Sequence, residues 1–190
     1  TPTMGGVLII LSVLISSFLW ADLQNSFVWI GISTLIAFGF IGFIDDYKKI
    51  KSNSSKGLKA IIRIILQLIF ALLISLIILN ILDDKIDTSI AFPFFKNLIL
   101  NFGYFYLVIS LFIIIGSANA VNLTDGLDGL AIVPVMIVAI TFSFIAYVSG
   151  NVVFSDYLLI NYIAGSGEIV IFCTSAIGAL LGFLWFNSSP

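Results

Sequence analysis

Long apolar runs separated by short polar stretches set the rhythm of this chain, and six of them are long enough to matter. They lie at roughly 5–21, 27–44, 60–82, 100–120, 130–149 and 168–186. Each holds about 17–23 mostly apolar residues, the number a helix needs to cross a hydrocarbon layer of about 30 Å. The first is the weakest, because Gly5 and Gly6 open it and its purely apolar part is short. The stretch 157–166 is too short to span and reads as an interfacial piece. The pattern predicts an all-α fold, a polytopic transmembrane helix bundle of about six spans in one integral membrane domain, 1–190. No internal repeat, low-complexity tract or domain linker interrupts it.

Composition sharpens this reading. Apolar residues make up 61% of the chain, charged residues 9%, and the mean hydropathy is +1.21, outside the range of soluble domains. Cys173 is the single cysteine, so a disulfide within the chain is excluded. Histidine is absent, which removes the usual proton shuttle and the commonest transition-metal ligand. The chain opens on Thr1-Pro2-Thr3 without a basic segment before its first apolar run, so a signal peptide is not expected there. Its end, Phe186-Asn187-Ser188-Ser189-Pro190, reads as the start of a loop, and the expectation is a fragment of a longer protein.

The charges set an orientation. Lys48, Lys49, Lys51, Lys56, Lys59 and Arg63 fall between the second and third spans, leaving only Lys85 and Lys96 elsewhere. The excess of basic residues assigns that loop to the cytoplasm. Alternating from there, 1–4, 45–59, 121–129 and 187–190 lie inside, and the loops near 22–26, 83–99 and 150–167 lie outside. Every polar cluster with chemical character then falls on the inner side. The outer loops hold Asp22, Asp83, Asp84, Asp87 and Asp156 without a matching constellation, and Phe92-Pro93-Phe94-Phe95-Lys96 reads as a re-entrant or hairpin element at the interface.

Two acidic clusters stand out. Asp45-Asp46 ends the second apolar run and leads into Tyr47-Lys48-Lys49. A helix emerging into water explains charge there, but acids are a poor choice at a helix C-terminus, where the dipole is already negative. Adjacent like charges tend to hold a cation or share a proton. The second cluster is Asn122-Leu123-Thr124-Asp125-Gly126-Leu127-Asp128-Gly129. On a helix starting near Thr124, Asp125 and Asp128 share one face. Plain capping of the next span by Asn122, Thr124 and Asp125 explains one acid, but leaves Asp128, Gly126 and Gly129 unexplained. An ionised side chain at membrane depth costs at least a few kcal/mol, so such pairs mark functional sites. Lys49, nearest the first pair, is the candidate contact for a substrate phosphate. The rest of the Lys run is explained by topology and anionic lipid. Glu168 reads as favourable charge at the N-terminus of the last span.

TPTMGG (1–6), GFIDDYKKI (42–50), KGL (56–58), FPFFK (92–96), NAVNLTDGLDGLA (119–131) and GALLGFLWFN (178–187) together resemble the phospho-N-acetylmuramoyl-pentapeptide transferase family. The two acidic motifs are shared with the wider polyprenyl-phosphate N-acetylhexosamine-1-phosphate transferase superfamily. TPTMGG, FPFFK and LGFLWFN favour the muramoyl-pentapeptide branch. The resemblance implies a ten-helix enzyme of the bacterial inner membrane with a cytoplasm-facing site. It implies transfer of phospho-MurNAc-pentapeptide from UDP-MurNAc-pentapeptide to undecaprenyl phosphate, release of UMP, and a need for Mg²⁺.

By that resemblance Asp45 and Asp46 are the catalytic and metal-binding pair, while the family's main metal aspartate is expected beyond Pro190. Lys49, Asn122, Asp125 and Asp128 contact substrate, with Thr3 and Asn187 bordering the nucleotide pocket. Membrane lipid and a second copy of the chain are further partners; nucleic acid is not. The family's first helix, the acidic motif after FN-x-x-P and a later His-containing loop fall outside the sequence, and Asn53 stands where relatives commonly carry a basic residue. The chain by itself is therefore expected to be inactive. Two other readings stay open: a sibling transferase using another UDP-N-acetylhexosamine, and an ion-coupled transporter, which would want its acids at mid-membrane.

Overall fold

The structure, a computed structural model, describes residues 5–52, 57–81, 88–91, 99–124 and 130–187. In chain order its elements are α1 (Gly5–Trp20), α2 (Ser26–Ser52), α3 (Ala60–Ile81), β1 (Ser89–Ala91), β2 (Ile99–Asn101), α4 (Phe105–Thr124), α5 (Ile132–Ser149), α6 (Val152–Leu158) and α7 (Ile169–Asn187), with a 3-10 turn, Ser166–Glu168, leading into α7. Five helical segments are long and apolar enough to cross a membrane: α2, α3, α4, α5 and Ser166–Phe186; α1, with 16 residues, is shorter. The all-α polytopic bundle read from the apolar runs is the architecture observed. Large apolar side chains stay exposed on every one of these helices, and α4 has no buried residue at all. In water that surface would drive aggregation; in a bilayer it is the lipid-facing side.

The helix ends depart from the hydropathy pattern in instructive ways. Helix α2 continues past the apolar run to Ser52, adding about 12 Å of helix. Lys49 and Lys51 occupy its last turn, where cations suit the dipole. Helix α4 starts only at Phe105, because β2 pairs antiparallel with β1 in the register Ser89↔Asn101, Ile90↔Leu100, Ala91↔Ile99. This ribbon brackets the expected hairpin element, whose residues 92–96 lie outside the described residues. The stretch 157–166 takes in only the last two residues of α6, a helix capped by Asn151, whose side chain accepts from the amides of Val153 and Phe154, and closed by Leu159 at φ 57°.

The chain forms two compact units, 1–58 with 121–190, and 59–120. In the first, α1 packs on α2 and α7, and α5 packs on α7, around Val13, Val28, Ile32, Ile41, Met136 and Cys173. Lipid is as apolar as leucine, so close approach and interhelical hydrogen bonds hold such helices together. The Ser175 hydroxyl donates to Ser16 across α1 and α7 at 2.9 Å. At Gly39 a β-carbon would overlap the tip of the Ile10 side chain, which packs directly over the glycine between α1 and α2. In the second unit, α3 buries Gln67, Ala71, Ile74 and Ser75, a single stripe of the helix. Two polar rungs tie that stripe to α4: Asn119 Nδ2 donates to Gln67 Oε1 at 2.8 Å, and the Ser110 hydroxyl to Ser75 at 2.9 Å.

Candidate active site at the end of helix α2

Because α2 does not stop at the membrane edge, Asp45 and Asp46 lie on a continuous helical surface one turn before Lys49. Their expected position at a helix C-terminus is corrected: the helix ends at Ser52, and the dipole argument against acids does not apply at 45–46. Spacings of three and four residues stack side chains along one face. The Lys49 ammonium accordingly sits 2.5 Å from Asp45 Oδ2 and 3.1 Å from Asp46 Oδ1, bridging the two carboxylates.

The two acids, equivalent in sequence, have different surroundings. The Asp45 side chain is 15% exposed and that of Asp46 is 45% exposed. Asp45 Oδ1 also accepts a hydrogen bond from the backbone amide of Leu58 at 2.7 Å, from chain that follows α2. Asp45 is thus held on both oxygens, one by an amide and one by a cation. Lys49 lies beyond the apolar run, in the aqueous extension of α2, and its pKa is raised. The hydrogen bond to Asp45 is the largest cause; partial burial opposes it, and the contact and charge of Asp46 reinforce it.

Whether this arrangement suits a divalent cation is a question of donor chemistry. Asp45 Oδ2 and Asp46 Oδ1 already converge on one positive centre. Two carboxylate oxygens are the protein share that Mg²⁺ usually takes, with waters and substrate phosphates completing its shell. Among the described residues no group of three or more His, Cys, Asp or Glu could hold a metal. What the described residues offer is two carboxylate oxygens, from Asp45 and Asp46, meeting on the Lys49 ammonium.

The other residues singled out in sequence fare unevenly. Asn122 and Thr124 stand in the last turn of α4, and the N-cap of α5 is Ala131 without a side-chain hydrogen bond. Capping of the following span by Asn122 and Thr124 is therefore corrected; Asn122 is exposed. Thr3, Asp125 and Asp128 lie outside the described residues, and with them the reading of one helical face carrying both acids. Asn187 closes α7. Pro190, beyond which the family's main metal aspartate is expected, also lies outside the described residues. The reading of Glu168 as dipole charge alone is incomplete: its carboxylate accepts from the backbone amide of Asp22, 146 residues away, at 2.9 Å. Sequence reasoning missed the Leu58 amide, since a backbone donor carries no residue signature; its neighbour Gly57 was the available hint.

These features define a multi-pass membrane protein with a paired-carboxylate site on the aqueous extension of one helix. The pattern of the family described as glycosyl transferase family 4 matches residues 28–190, and the chain belongs to that family. Over its whole length it is 52% identical to the phospho-N-acetylmuramoyl-pentapeptide-transferase of Pelagibacter ubique (strain HTCC1062). It is 50% identical, over 196 aligned residues, to the protein of the same name from Maricaulis maris (strain MCS10). Identity to that of Rhodopseudomonas palustris (strain BisA53) is 46%. The chain spans about half the length of these relatives, 53% in each case.

Proposed function

We propose that the full-length protein carrying this chain transfers phospho-MurNAc-pentapeptide from UDP-MurNAc-pentapeptide to undecaprenyl phosphate, forming lipid I and releasing UMP. The observation that carries this reading is the convergence of Asp45 and Asp46 on the Lys49 ammonium within α2, in a chain about half identical to transferases of that name. The basic loop between the second and third spans supports a reaction on the cytoplasmic side of the inner membrane. The names of the relatives favour this donor over another UDP-N-acetylhexosamine, and acids beyond an apolar run argue against an ion-coupled transporter.

The chemistry follows from the charges. Both substrates are phosphate anions, so their mutual repulsion is the barrier the site must lower. Asp45 and Asp46 would hold Mg²⁺, which supplies positive charge to the phosphates when bound. With a divalent cation on the carboxylates, the Lys49 ammonium is left to pair with a substrate phosphate. An oxygen of the lipid phosphate attacks the sugar-linked phosphorus, and the bond from that phosphorus to the UMP oxygen breaks. Any proton remaining on the lipid phosphate passes to the acid pair, with Asp46, the more exposed of the two, the accessible acceptor. An attacking phosphate is already anionic, which favours direct displacement over a phospho-aspartate intermediate. Asn122, Asp125, Asp128, Thr3 and Asn187 are the residues proposed to border the nucleotide.

Purified full-length protein supplied with undecaprenyl phosphate and Mg²⁺ is expected to release UMP from UDP-MurNAc-pentapeptide and not from UDP-GlcNAc. Release from UDP-GlcNAc alone would move the protein to the sibling class. Absence of UMP from either donor would overturn the reading.

A further inference from the structure

The chain that returns after α2 passes over the acid pair at Gly57-Leu58. Leu58 reaches Asp45 Oδ1 through its amide at 2.7 Å. At Gly57 a β-carbon would fall on the Asp45 carboxylate itself, overlapping Oδ1 and lying 2.7 Å from Oδ2. Gly57 is not among the positive-φ glycines, Gly103 and Gly165, so what the position requires is space rather than backbone freedom. The two oxygens of Asp45 consequently have separate tasks: Oδ1 is taken by the Leu58 amide, and Oδ2 meets the cation shared with Asp46. A carboxylate anchored through one oxygen loses rotational freedom, and the other oxygen is held in one direction.

We propose that Gly57 is a positioning residue: its missing side chain lets the Leu58 amide clamp Asp45 so that Asp45 and Asp46 aim together at one cation. This rests on the reading of the acid pair as the reactive centre.

The test compares Gly57→Ala with Asp45→Asn, Asp45→Ala and Gly42→Ala in the full-length protein. Gly42, one turn before Asp46, has nothing within reach of an added β-carbon and serves as the control. Gly57→Ala is expected to lower kcat about 10-fold or more while KM for both substrates stays within about 2-fold, since misplacement of a reactive group acts on the transition state. Mn²⁺ affinity, read by electron paramagnetic resonance on the protein without substrates, is expected to weaken in parallel. Gly42→Ala is expected to change neither.

Thermal stability supplies a readout independent of turnover. Gly57→Ala should lower Tm in the otherwise unaltered protein and leave it unchanged in an Asp45→Ala background, where no carboxylate remains to collide with. Equal Tm shifts in both backgrounds, or unaltered kcat and Mn²⁺ affinity in Gly57→Ala, would overturn the clamp. If Asp45→Asn itself turns over normally, the reading of the acid pair fails instead, and the two failures are told apart by that variant.

Discussion

Two carboxylates in the same compact unit each accept a backbone amide from a distant part of the chain, yet they do different work. Glu168, in the turn before α7, accepts from the Asp22 amide at 2.9 Å, and Asn25 reinforces the contact by donating to the Gly165 carbonyl at 2.8 Å. Asn25 also accepts from the Phe27 amide and so caps α2, while Gly165, at φ 81°, turns the chain toward Glu168. There the carboxylate joins two loops. Asp45 accepts the Leu58 amide at 2.7 Å in the same manner, but its second oxygen meets a cation that a neighbouring acid also meets. An amide contact alone joins two parts of the chain; the amide contact plus a second acid on a common ammonium is what makes Asp45 a candidate for chemistry. Helix-end acids are ordinary, and their count says little until their partners are known.

The comparison breaks most visibly if turnover ignores it. Asp45→Asn and Asp46→Asn in the full-length protein are each expected to lower UMP release at least about 100-fold with the fold retained, the scale of losing a charged group at a reactive centre. Near-normal rates in both would reduce the α2 site to a pin like that of Glu168. Lys49→Gln is expected to reduce kcat about 10-fold and to raise KM, because it removes charge facing the phosphates. Its cost in stability should stay below about 1 kcal/mol, since Lys49 and Asp46 are both more than a third exposed. Asp128→Ala should weaken donor binding about 10-fold, equivalent to about 1.4 kcal/mol, measured by titration with the UDP-sugar; unchanged affinity would remove it from the pocket.

The Glu168 carboxylate offers the opposite outcome. Glu168→Ala is expected to lower stability by about 1 kcal/mol through loss of the Asp22 contact, with turnover within about 2-fold of the unaltered protein. A large loss of kcat with little loss of Tm would erase the distinction drawn between the two carboxylates. The smallest effect concerns pH. The raised pKa of Lys49 means its bridge contributes fully below the unfolded lysine value of about 10.4 and is lost only as pH climbs through the higher folded value. Tm followed from pH 7 to 11 should therefore show no Lys49-dependent change below about pH 10, judged against Lys49→Gln.

The spans could be read from the chain alone, because a bilayer demands a helix of known length and apolar character wherever the chain crosses. Asp45, Asp46 and Lys49 could be picked out as candidates as well, since ionised groups beside apolar runs need a reason. What hydropathy does not record is helix continuing into water, which carries no apolar mark; hence α2 runs on to Ser52 and α4 to Thr124. Nor does it record which oxygen meets which amide. Asp45 meets Leu58 across 13 residues, and Glu168 meets Asp22 across 146. Those pairings arise only when distant backbone is brought close, because any residue but proline offers the same donor. Local solvent preference decided where the helices lie; the tertiary structure decided that Glu168 meets the Asp22 amide and that Asp45 meets the Leu58 amide while sharing Lys49 with Asp46.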